Sequence, residues 1–170
     1  EWFLDNLNNL DNQKDNLDNQ KDNLDEIIFN KIIGYGRTSI TEEDFRKKIV
    51  NNKNIPIRLI SEKVSFSEKT TYIQGQYDKI EGFNTIFNYL QEYKTEKTPL
   101  ILYFGVPSSL APKIIRQVGD SKLDEFYDCK YILEKPIGTN LEDAKNILDE
   151  IDNIIDDSKL FILDHYLAKT

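Results

Sequence analysis

From residue 27 to residue 163 the chain alternates two kinds of segment, and that alternation restricts the fold more than any other feature of the sequence. One kind is a short apolar run rich in β-branched residues. The other is a stretch whose apolar residues recur every three or four positions. The first suits buried strands and the second amphipathic helices. Residues 27–34 (IIFNKIIG), 72–77, 100–106 (LILYFGV), 131–134 and 160–163 are the predicted strands. Thr41 with Asp44 predicts a helix over 41–50, and Phe83, Ile86, Phe87 and Leu90 set the period of another over 83–93. A third helix opens at Pro107-Ser108-Ser109 and runs to about residue 118. The fourth is capped by Asn140 and places Leu141, Ala144, Leu148, Ile151 and Ile155 on one face. Strands joined by crossover helices imply an α/β fold with a mainly parallel, doubly wound sheet.

The first 26 residues obey a different rule. Asn9-Leu-Asp-Asn-Gln-Lys-Asp15 recurs at 16–22 and begins again at Asn23, so Leu10, Leu17 and Leu24 are seven apart. A coiled coil needs two apolar positions per heptad, and Asn and Asp are poor helix formers. Residues 1–26 are therefore expected to form a solvated, disordered, low-complexity acidic insertion ahead of a folded region at 27–170. They hold eight acids and two lysines, net −6, which leaves −2 of the total −8 for the remaining 144 residues. Neither region has the basic stripe that nucleic acid or an anionic membrane surface requires. No apolar run is long enough to span a bilayer, and no basic patch leads into an apolar stretch at the start. One cysteine, Cys129, excludes an internal disulfide framework and suits a reducing compartment. Its apolar neighbours predict a buried thiol. Beginning at Glu1, the chain is expected to be an internal piece of a longer protein.

In a parallel sheet of this kind, ligands sit beyond the carboxyl ends of the strands. Four polar motifs follow predicted strands here: Tyr35-Gly36-Arg37, Val106-Pro107-Ser108, Glu134-Lys135-Pro136 and Asp164-His165-Tyr166. The last continues to Lys169. An imidazole, a phenol and an ammonium within six residues can together bind a phosphate or a polyol, and Asp164 could orient an imidazole. Spacing alone leaves a second reading open, in which His165 is a partly buried structural histidine and Asp164 a helix cap. Ser108 and Ser109 read as helix caps near a ligand. The acids at 142, 143, 149 and 150 read as a wet helix face.

Asp164-His-Tyr-Leu-Ala-Lys169 resembles the signature peptide of the glucose-6-phosphate dehydrogenase family, with Ala168 where that family has Gly. Ile33-Gly-Tyr-Gly-Arg-Thr38, Gly75-Gln-Tyr-Asp78, Tyr103-Phe-Gly-Val-Pro107 and Glu134-Lys-Pro-Ile-Gly138 resemble four further family motifs, in family order. The Asn/Asp/Lys-rich stretch ahead of them is similar to an insertion in bifunctional members fused to 6-phosphogluconolactonase.

The resemblance implies an incomplete Rossmann-like domain of a cytoplasmic enzyme that moves a hydride from C1 of glucose 6-phosphate to NADP. It implies that Arg37 meets the 2′-phosphate of NADP, that Pro107 lines the cofactor and that Lys135 contacts both nicotinamide and substrate. His165, Tyr166 and Lys169 would hold the sugar phosphate, and Asp164 would orient a catalytic histidine. No metal is implied. That histidine is not in the chain, whose one histidine is His165, and no Gly-x-Gly-x-x-Gly loop occurs. The chain alone is therefore expected to be inactive, and the parent to be a homo-oligomer through a domain outside it. Two rivals are a sugar oxidoreductase of the Gfo/Idh/MocA kind, which shares Glu-Lys-Pro, and a noncatalytic interaction scaffold.

Overall fold

The computed structural model describes residues 31–52, 64, 66–92 and 99–164. The expectations for residues 1–26, for the start of the first strand, and for His165, Tyr166 and Lys169 fall outside them. The chain forms two compact units, residues 1–35 with 39–72, and residues 36–38 with 73–170.

The first unit is built on β1 (Ile32–Gly36), helix α1 (Glu42–Val50) and the start of β2 (Thr70–Gln74). Ile32 N donates to Lys69 O and Gly75 N to Gly36 O, so partners advance together and the strands are parallel. Helix α1 starts where Thr41 turns extended and its hydroxyl accepts the Asp44 amide at 3.1 Å. That cap satisfies one of the amides left open at a helix start. Arg46 from α1 donates twice to Thr70 O, at 3.2 and 3.0 Å. The sequence places this second strand at 72–77; it begins and ends earlier, its last bond to β1 being the one from Gly75 N, before the turn at Tyr77-Asp78.

In the second unit, β3 (Pro99–Phe104), β4 (Asp128–Glu134) and β5 (Leu160–Leu163) form a parallel sheet in that order. Between them run α3 (Ala111–Asp120), the short α4 (Leu123–Phe126) and α5 (Leu141–Asp152), with α2 (Ile80–Gln91) before β3. Right-handed crossovers that step the same way across a sheet put their helices on one side. The strands agree: Phe104, Cys129, Tyr131 and Leu133 are buried on one face, while Ile101 and Phe161 on the other are each 47% exposed. Buried Phe83, Ile115, Val118 and Ile151 complete the core from the helices. The two sheets are separate among the described residues. Each unit has parallel strands joined through helices, so the α/β Rossmann-like class stands.

Helix α5 corrects one expectation. Asn140 caps it, accepting the Asp143 amide at 2.9 Å, but Leu141 is 72% exposed. At the first helical position it projects beyond the packed stripe, which runs instead through Ile147, Ile151 and Ile155.

Candidate active site

Parallel pairing fixes where the chain leaves the sheet. Phe104 lies beside Leu133, and Glu134 beside Leu163, so the segments that follow β3, β4 and β5 emerge along one edge. Lys135 N donates to Leu163 O at 2.9 Å, extending the ladder one step past Glu134. The Lys135 ammonium then reaches the Asp164 carboxylate, with Nζ 3.3 Å from Oδ2. Two motifs twenty-nine residues apart in sequence thus meet.

Their side chains remain 55% and 28% exposed, so the pair is worth little to stability. Its value lies in chemistry: an accessible cation and a neighbouring carboxylate can trade each other for the hydroxyls of a polar ligand.

The loop that carries Lys135 is fastened at several points. The Lys135–Pro136 peptide bond is cis. Gly138 has φ +65°, and a Cβ there would lie 2.6 Å from Ala144 N, so both conformation and space demand glycine. Its N–H donates to Ser108 Oγ at 2.9 Å. Thr139 donates from N and Oγ1 to Asp143 Oδ2, at 2.7 and 3.0 Å.

Two expectations change here. Ser108 does not cap a helix: the turn Ser108–Leu110 starts from Pro107, neither it nor α3 has a side-chain cap, and the Ser108 hydroxyl serves Gly138 instead. Asp143 is more than a wet-face acid, because it ties the loop to α5. Pro107 is exposed, and its carbonyl accepts the Leu110 amide at 2.9 Å.

Arg37, which directly follows β1, is exposed, and its guanidinium stands 5.4 Å from the centre of the Tyr77 ring. Its carbonyl accepts from Gln74 Nε2 at 3.3 Å. A guanidinium resting on a ring face keeps its donors in one plane and available to an anion.

At the amino ends of the strands, Cys129 is fully buried, and burial, with the nearby Asp124 carboxylate, pushes its thiol up to about 12. It is a protonated core thiol, as its apolar neighbours predict. Burial also raises the Tyr131 phenol, with the charge of the Asp124 carboxylate acting the same way, and its Oη has no hydrogen-bond partner among the described residues. Asp124 is held by Lys159 at 2.8 Å, the bond that raises the Lys159 ammonium.

Comparison with known proteins gives this geometry a lineage. The family model described as glucose-6-phosphate dehydrogenase, NAD binding domain, matches residues 18–170. The chain belongs to this family. Among curated members, glucose-6-phosphate 1-dehydrogenase of Aspergillus niger is 30% identical over 145 residues, covering 82% of this chain and 28% of that protein. The cytoplasmic isoform of Solanum tuberosum is 27% identical over 147 residues, covering 81% and 29%.

A solved glucose-6-phosphate dehydrogenase in complex with glucose 6-phosphate superposes with a TM-score of 0.71 at 28% identity, covering 82% of this chain and 30% of that one. The Mycobacterium avium structure, at 18% identity and a TM-score of 0.65, shares the fold. The chain spans less than a third of the length of these dehydrogenase relatives.

Proposed function

We propose that this chain is the cofactor-side part of an NADP-dependent glucose-6-phosphate dehydrogenase, an enzyme of the cytoplasm whose product is 6-phosphogluconolactone. The observation that carries the reading is the 3.3 Å approach of Lys135, from the Glu-Lys-Pro motif, to Asp164, the first residue of the Asp-His-Tyr motif, at one sheet edge. Membership of the family and likeness to a structure holding glucose 6-phosphate support it.

The residues present suit parts of both ligands. Arg37, exposed and steadied on Tyr77, fits the 2′-phosphate that distinguishes NADP, as a planar fork of donors should. Pro107, at the turn after β3, lines the cofactor side of the same edge. NADP supplies the hydride acceptor. Lys135 holds the C1 hydroxyl by donating to its oxygen, and as an ammonium beside that oxygen it stabilises the negative charge that grows there when the proton leaves. The proton goes to a histidine base outside this chain, and Asp164 orients that imidazole. His165, Tyr166 and Lys169 take the 6-phosphate, with Lys169 as the point charge.

Since neither that base nor a Gly-rich phosphate loop occurs in the 170 residues, the isolated chain is inactive and the working enzyme is a longer polypeptide, self-associating through its further domain. Nucleic acid and membrane are not among its partners.

The test is formation of NADPH by the full-length polypeptide with glucose 6-phosphate, followed by absorbance. Lys169→Ala should raise KM for glucose 6-phosphate far more than KM for NADP. Equal weakening of both would remove Lys169 from the phosphate site, and absence of turnover in the unaltered full-length protein would sink the reading.

A further inference from the structure

We propose that Ser108 is a positioning residue for Lys135, acting across the sheet edge through the amide of Gly138; the proposal rests on the role given to Lys135 above. The loop from Lys135 to Asn140 is anchored on three sides. Lys135 N is tied to Leu163 O of β5, and Thr139 and Asn140 are tied to Asp143 of α5. On the β3 side, the bond to the loop is Gly138 N–H to Ser108 Oγ, 2.9 Å and partly buried.

Ser108 begins the turn that follows β3, so its hydroxyl sets the separation between the β3 exit and the β4 exit. Gly138 sits close against the start of α5, where a Cβ would lie 2.6 Å from Ala144 N, and only Ile137 and Pro136 separate it from Lys135. A shift at Gly138 therefore passes back through Ile137 and Pro136 to Lys135, whose Nζ is poised beside Asp164. Removing the hydroxyl leaves a half-buried N–H without its acceptor, and the loop relaxes away from β3 to hydrate it.

The test uses the full-length polypeptide. Ser108→Ala is expected to lower kcat/KM for glucose 6-phosphate about tenfold, since a displacement well under 1 Å at a reacting group is enough for that. NADP affinity, anchored at Arg37, should hold to within about twofold on the same argument. Ser108→Thr keeps the hydroxyl and should restore kcat/KM.

Amide exchange at Gly138 supplies a readout independent of turnover, faster in Ser108→Ala and unchanged in Ser108→Thr. The proposal is overturned if the two variants have the same kinetics, or if Gly138 exchanges no faster in Ser108→Ala. If the unaltered enzyme oxidises no glucose 6-phosphate, the functional reading fails on its own. The exchange rates then still decide whether Ser108 holds the loop.

Discussion

All the buried apolar side chains among the described residues, from Ile73 to Ile155, belong to the unit of β3, β4 and β5. Among the described residues, the unit of β1 and the start of β2 buries Ser67 and Thr70 but no apolar side chain. Both use the same vocabulary of parallel strands, a capped helix and paired charges, yet they are held by different forces. Tyr131, Phe83 and Ile151 are shut away from water in one. In the other, α1 buries nothing and is edged by Glu42–Arg46 and Glu43–Lys47 pairs, each at 2.6 Å. Apolar burial contributes roughly 1.5–3 kcal/mol per large side chain, and exposed ion pairs a few tenths. Stability should therefore be concentrated in the second unit, which also carries Lys135 and Asp164.

The harshest trial of that contrast is a cavity in each unit. Phe83→Ala should cost about 3–5 kcal/mol in urea unfolding, as for a fully enclosed ring. Phe45→Ala, whose half-buried ring lies 5.0 Å from that of Tyr72, should cost less than half as much. Equal losses would erase the distinction. Gly138→Ala comes next: the left-handed backbone and the Ala144 contact should cost about 1–3 kcal/mol, and the thermal midpoint would report it.

The helix caps refine the comparison, because Thr41 and Asn140 perform the same task in the two units. Each alanine variant should lose about 1 kcal/mol of helix stability. Asn140→Ala should lower the global unfolding free energy, whereas Thr41→Ala should appear mainly as faster amide exchange within α1. The mildest change is Glu43→Gln, expected to lower the thermal midpoint slightly at low ionic strength and not measurably in high salt. A larger effect would give the exposed pairs more weight than their accessibility allows.

Much of this arrangement is legible in the residues. LILYFGV could be little other than a strand, and Asn140 marked its helix start correctly. Burial of Cys129 follows from its setting in an apolar run. The meeting of Lys135 with Asp164 is half legible: sequence gives two motifs after two strands, and only the register of β4 on β5 makes them adjacent.

Ser108 is opaque for a physical reason. Its partner is a backbone amide thirty residues away, and an amide leaves no trace in the identity of its residue. Leu141 misleads because helical period records direction around an axis, not whether packed structure extends that far along it. The separation into two units has no local signal either. It depends on which strands are bonded to which, a property of the assembled sheet.

Because three strands release the chain along a common border, positions near 107, 135 and 164 form a single locus despite being about thirty residues apart. Substitutions there should not combine independently, since neighbours that share partners couple by roughly 0.5–3 kcal/mol. A change at one of these exits will be tolerated or not according to what the other two carry, so drift at this border must proceed by matched replacements rather than one residue at a time.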